Sequence, residues 1–154
     1  VIPLMVSERL LDVTKDYRGT KIMVTGQFRS YNRHEERKNK LVLSVFAREV
    51  EFIEEIGESS KTNQIFLDGY ICKEPIYRKT PLGREIADVL LAVNRPYGKS
   101  DYIPCICWGR NAHYSAEFEV GTRCCVYGRI QSREYMKKIL SMEKAHLKIA
   151  YIIS

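Results

Sequence analysis

The strongest constraint on this chain is that it repeats itself. "VIPLMVSER" at residues 1–9 lies over "YIPCICWGR" at 102–110, Ile-Pro on Ile-Pro, with an apolar run and a closing Arg in each. The next segments, "LLDVTKDYRGTKIMVTGQFRSYNR" and "NAHYSAEFEVGTRCCVYGRIQSREY", continue the match. Gly19-Thr20 falls on Gly121-Thr122, Gly26 on Gly128 and Ser30 on Ser132. The offset is 101 at the Ile-Pro pairs and 102 from Gly-Thr on, so the second copy carries one inserted residue. An internal repeat must be settled before single elements are assigned, because it fixes the unit from which the fold is built.

Each copy predicts the same elements. A strand comes first (2–6 and 102–108). A short helical stretch follows, with apolar residues near helical spacing: Leu10, Leu11, Val13 and Tyr17, then Ala112, Ala116, Phe118 and Val120. Gly19 or Gly121 stops it. A second strand meets a Gly and runs on as a polar arm. That arm turns in a charged loop, "NRHEERKNK" or "KKILSMEK", and returns as a last strand in "KLVLSVFAREV" or "HLKIAYIIS".

Only the second copy is preceded by "NQIFLDGYICKEPIYRKTPLGREIADVLLAVNRPY", which reads as two long strands joined at Pro81-Leu82-Gly83. Pro presets the first central turn position and Gly supplies a positive φ. Gly69 inside the first strand marks a bulge or sharp bend, as small barrels need at their corners. Residues 63–154 therefore predict an all-β, five-stranded Greek-key barrel of the oligonucleotide/oligosaccharide-binding (OB) type with one short helix. Residues 1–56 predict a partial OB-like repeat holding the third strand, helix, fourth and fifth strands, and 57–62 a linker. A half barrel leaves long unpaired edges, which folded proteins avoid. Upstream sequence, another chain or a repurposed segment would resolve them, and a truncated two-barrel protein is the favoured expectation.

Charge is distributed unevenly. The net charge is +6, yet residues 1–60 hold ten basic and ten acidic residues, against fifteen and nine in 61–154. Eleven of the sixteen aromatics also lie in 61–154. A polyanionic partner would therefore meet the second part. No apolar run reaches the ~20 residues of a membrane span and no secretory signal is visible, so no membrane and a cytoplasmic location are expected. Cys72, Cys105, Cys107, Cys124 and Cys125 form no metal-type spacing and read as free thiols used as small apolar residues. No metal and no cofactor are expected. No nucleotide loop, zinc-protease motif or nucleophile elbow appears, so no enzyme is expected.

The ordered set in residues 63–138 resembles bacterial single-stranded DNA-binding proteins. It comprises L-x-G in the first strand, the hairpin Gly, the L-A-V strand end, W-G, and V-x-G-R-I-x-S-R-x-Y. The resemblance implies that bases stack on aromatics spread over the barrel, here Tyr97, Tyr102, Trp108 and Tyr135. The partial copy has Val1, Ser7 and Arg33 at the positions it retains, which implies that it does not bind in the same way. The family usually assembles four barrels, so a homo-oligomer is implied: a dimer of tandem-barrel chains or a tetramer. It usually ends in an acidic tail that recruits replication proteins, and this chain ends in "LKIAYIIS".

The residues support the same expectation independently. Alternation puts Tyr102, Pro104, Ile106 and Trp108 on one strand face and Ile103, Cys105 and Cys107 on the other. Arg84, Arg95, Lys99, Arg110, Arg129, Arg133 and Lys137 flank the aromatics and would follow phosphates. The expected function is sequence-tolerant binding of single-stranded DNA in replication, repair or recombination. The alternative is an OB-fold assembly or replication-restart adaptor with weak nucleic-acid binding. RNA binding of the cold-shock type lacks its dense aromatic motifs.

Overall fold

A computed structural model describes residues 2–35, 38–53, 63–131, 133–137, 140–144 and 151–153; side chains are described within these ranges except at 33–40 and from 132 on. The expected linker lies outside the described residues. The chain divides into two compact units, Val1–Thr62 and Asn63–Ser154. Among the described residues, no helix is long and apolar enough to cross a membrane.

The first unit is a three-stranded sheet. β1 (Leu4–Met5) runs parallel to β3 (Lys38–Phe52), and β3 pairs antiparallel with β2 (Ile22–Glu35). The register slips between Thr25 and Gly26. A Cβ at Gly26 would clash severely with the Phe46 carbonyl, so only Gly lets the strands approach so closely there. The helix expected over Leu10–Tyr17 is absent from this unit. The segment is instead a chain of turns, closed by Leu10 N–H to Ser7 O at 2.9 Å and Lys15 N–H to Asp12 O at 3.2 Å. The reason is local. Asp12 Oδ1 accepts from the Thr14 amide at 3.0 Å and the Thr14 hydroxyl at 2.6 Å, and Asp16 Oδ1 accepts from the Arg18 amide at 3.0 Å. Such short side-chain bonds offer the backbone an alternative to helix. The charged tip is also shorter than expected, because β2 runs to Glu35 and β3 starts at Lys38.

The second unit holds β4 (Ile65–Ile71), β5 (Ile76–Lys79), β6 (Glu85–Asn94), a 3₁₀ turn (Pro96–Gly98), β7 (Ser100–Trp108), α1 (Arg110–Ala116), β8 (Arg123–Gly128), β9 (Arg133–Lys137), β10 (Leu140–Lys144) and β11 (Tyr151–Ile153). The sheet order is β11-β8-β4-β6-β5, with β7 on β6. β9 and β10 form a separate antiparallel ribbon. Residues 140–144, expected in a charged loop, are thus a strand: Leu140 and Met142 alternate with polar residues, a pattern that suits a half-buried ribbon.

The turn at 80–84 closes as expected. The Gly83 amide donates to Thr80 O at 2.8 Å, and Gly83 sits at φ +81°. Inward residues of β6 and β7 pair in register, Ala87 with Cys107, Val89 with Cys105 and Leu91 with Ile103, and all six are at most 2% exposed. Cys124 and Val126 of β8 complete the layer, and Ala112 seats α1 on it. At Gly69 the strands cross tightly, since a Cβ would lie 2.5 Å from the Ala92 carbonyl oxygen.

Candidate nucleic-acid interface

The outer face of β7 carries Tyr102, Pro104, Ile106 and Trp108, each half-buried or exposed, above a buried inner face. Each outer residue has a partner on β6: Ala92 beside Tyr102, Leu90 beside Pro104, Asp88 beside Ile106 and Ile86 beside Trp108. Small and aliphatic partners leave the two rings standing at the ends of an apolar strip. Ile86, the register partner of Trp108, is only 3% exposed although it lies on the outer face. The Arg84 guanidinium reaches over the Trp108 ring at 5.9 Å from its centroid, at the outer range of a cation–π contact.

Tyr97 stands on the loop from β6 to β7 and is fully exposed, at 101%. Its backbone is left-handed, at φ +72° and ψ +25°, beside Gly98 at +79°. A non-glycine residue there is strained by roughly 1–2 kcal/mol. Tyr135 lies on β9, paired with Met142 in register; its side chain is outside the described residues, as are those of Arg133 and Lys137. Of the four aromatics expected to stack, the three whose side chains are described, Tyr97, Tyr102 and Trp108, lie on β7 and the loop leading into it.

The basic residues divide by partner. Lys99 and Arg110 are exposed, one beside Tyr97's turn and one at the start of α1. Arg129 is exposed and donates from Nε at 2.8 Å and Nη2 at 2.9 Å to the Gln131 side-chain oxygen in its satisfied orientation. Arg84 serves Trp108. Arg95 differs from the rest: its Nε lies 2.9 Å from Asp101 Oδ2, and Asp101 is buried. Arg78 likewise pairs with Asp88, at 3.0 Å.

Two clusters escaped the sequence reading. On the outer face of β4 and β8, Phe66 and Tyr127 are directly paired, ring centroids 4.6 Å apart, and Tyr70 lies beside Arg123. Arg123 in turn holds Asp68 at 2.7 Å, which keeps that carboxyl below its usual range, the hydrogen bond from Arg123 being the main cause. Alternation in "IFLDGYI" does place Phe66, Asp68 and Tyr70 on one face, so the signal was available. Next to Trp108's end of the sheet, Glu85 meets His113 Nε2 at 2.7 Å, and the rings of Tyr77 and His113 lie 5.2 Å apart. These contacts lower the Glu85 pKa, through Tyr77 first and His113 second. That pairing joins β5, β6 and α1 and has no sequence spacing to reveal it.

The cysteines are free, and Cys105, Cys107 and Cys124 are buried. Burial pushes the Cys107 thiol up to about 12 and Cys124 to about 11, so both remain thiols at neutral pH. Among the described residues, no group of three or more His, Cys, Asp or Glu is placed to hold a metal ion.

Residues 62–151 match the model of the single-strand binding protein family. The chain is 38% identical over 80 residues to single-stranded DNA-binding protein 3 of Listeria innocua, covering 47% of this chain and 50% of that protein. It is equally identical over 80 residues to single-stranded DNA-binding protein B of Bacillus subtilis, covering 47% of this chain and 71% of that one. The chain spans about half the length of the first curated relatives it matches. Crystal structures of the single-stranded DNA binding protein from Thermus aquaticus, a deletion variant and the wild type, share its fold, with TM-scores of 0.68 and 0.63 at 22% and 23% identity. They cover 86% of this chain and 58% and 57% of their own. With more than half its residues inside the family model and its strands in the OB order, the chain belongs to the single-strand binding protein family.

Proposed function

We propose that the protein is a non-enzymatic, cytoplasmic single-stranded DNA-binding protein, sequence-tolerant, that serves replication, repair or recombination. The observation that carries this is the outer face of β7, where Tyr102 and Trp108 stand over a buried core and a fully exposed Tyr97 adjoins them. Single strands are bound without sequence preference by aromatic faces beside a basic track, and the excess positive charge falls in the same part of the chain. Tyr135, Arg84, Lys99, Arg110, Arg129, Arg133 and Lys137 complete the proposed track. Titration with oligo-dT and with a duplex of equal length, at two salt concentrations, tests it. The one tryptophan, Trp108, supplies the signal. Quenching by the single strand alone, weakened by salt, is expected. Equal binding of the duplex would refute the proposal, and no binding would favour the assembly adaptor.

The Phe66, Tyr70 and Tyr127 face supports a homo-oligomer, with replication proteins as further partners. Its charged pair is mutually neutralised, and aromatic, charge-poor surfaces are the usual centres of protein contacts. Phe66→Asp should lower the sedimenting mass, and an unchanged mass would exclude this face.

Residues 63–154 are proposed as a complete OB domain and 1–56 as the back half of another. Two features support this. The antiparallel pair β2–β3 has the relation of β8–β11, and the edge of β2 corresponds to the edge on which β8 carries β4. Residues 63–154 alone should melt cooperatively, and a non-cooperative melt would refute the boundary.

A further inference from the structure

The loop that presents Tyr97 is closed from below. Asn94 and Ser100 are the last in-register pair of β6 and β7, and the Ser100 hydroxyl donates to Asn94 Oδ1 at 2.8 Å. Above them the Arg95 amide donates to Lys99 O at 2.7 Å. Beneath the loop, the Arg95 guanidinium lies against the Asp101 carboxylate, Nε to Oδ2 2.9 Å. Nε–H is not aimed along this contact, so it is an ion pair rather than an aligned hydrogen bond. The Asp101 side chain is 3% exposed and that of Arg95 25%. Burying a carboxylate is costly unless an opposite charge or hydrogen bonds accompany it, and the Arg95 guanidinium is the cation placed against this one. Arg95 is therefore committed inward, while the ring of Tyr97, two residues on, projects wholly into solvent from a strained left-handed backbone. Strain of this kind persists only where the surroundings over-determine it.

We propose that Arg95 and Asp101 are a positioning pair: they lock the β6–β7 loop so that Tyr97 is presented for stacking, and Arg95 is not a phosphate contact. The proposal rests on the single-stranded DNA reading for its consequence and on the loop geometry for its cause. It makes an unusual sign prediction. If Arg95 tracked phosphate, removing the nearby negative charge with Asp101→Asn would tighten binding. A positioning pair predicts that Asp101→Asn weakens it.

The experiment measures oligo-dT affinity over a salt series for the full chain, for Arg95→Met, Arg95→Lys and Asp101→Asn, and for each in a Tyr97→Ala background. Arg95→Met and Asp101→Asn should weaken binding alike, by no more than the about five- to 150-fold that one stacked base supplies. Arg95→Lys should recover part of the loss. In the Tyr97→Ala background all three should be nearly silent. The slope of log affinity against log salt should not change. A slope shallower by about 0.7 in Arg95→Met, with affinity unchanged or improved in Asp101→Asn, would overturn the proposal. If Asp101→Asn does not fold, the Arg95 pair of variants decides on the same criteria. Amide hydrogen exchange gives a readout that needs no DNA: the Arg95 N–H should exchange at least about tenfold faster in Asp101→Asn and Arg95→Met. If the wild type fails to bind oligo-dT, the functional reading falls and this exchange rate alone judges the pair; an unchanged rate refutes it.

Discussion

Replacing Trp108 separates its packing in the sheet from the stacking proposed for it. Trp108 is the register partner of the buried Ile86, and its ring lies under Arg84. A Trp side chain buries up to ~200 Å². Trp108 is mostly buried, so about 130 Å² or more at about 25 cal/mol per Å² gives at least ~3 kcal/mol of stability from packing. Its free face would supply ~1–3 kcal/mol per stacked base. Trp108→Ala should lose both. Trp108→Leu should keep most of the apolar packing beside Ile86 but present no flat π-face. In Trp108→Leu the melting temperature should therefore move little while oligo-dT affinity, read by anisotropy of a labelled strand, drops about five- to 150-fold. Trp108→Phe should restore most of that affinity. A folded Trp108→Leu variant that binds like the wild type would refute stacking at this position and leave Trp108 a packing residue only.

Tyr97→Gly should raise the melting temperature, since glycine accepts φ +72° without strain, a gain of about 1 kcal/mol, and should weaken oligo-dT binding; a change of the same sign in both assays would break the link between strain and presentation. Gly69→Ala sets a Cβ 2.5 Å from the Ala92 carbonyl and should destabilise the second unit by about 1–3 kcal/mol in a denaturant melt; a neutral result would mean that β4 and β6 can separate at no cost. The pKa values of Glu85 and Asp68 are depressed in the folded chain. Their stabilising contribution is thus full above the ordinary carboxylate range and is lost as pH falls through their lowered values. Melting temperature should decline between about pH 5 and pH 2, and the decline should be shallower in Glu85→Gln.

Much of the fold was legible because it rests on local signals. Period-two alternation predicted both faces of β7, and the turn chemistry of Pro81-Leu82-Gly83 predicted the hairpin before β6. The helix expected over Leu10–Tyr17 is absent for a local reason as well: its apolar spacing fits a helix, but the turn-forming bonds of Asp12 and Asp16 outcompete it. The strand at Leu140–Lys144 was hidden by the charged residues in and beside it, which suit a loop as well as a ribbon. In the proposed site, Tyr97, Tyr102 and Trp108 could be named from the sequence. That Arg95 faces a buried Asp101, while Lys99 does not, could not.

The sequence by itself determined which residues can face a core, where the chain can turn, and which part carries the charge and the aromatics. Those properties follow from periodicity, glycine and proline conformation, and composition, all readable within a few residues. Tertiary structure decided the partners. It paired Ile86 with Trp108 in register, joined Glu85 to His113 between a strand and a helix, and set Arg95 against Asp101. An ion pair or a ring contact depends on register between strands and on burial, and neither is a property of a residue's neighbours in sequence. The same Arg serves a phosphate when it meets water and a loop when it meets a buried carboxylate.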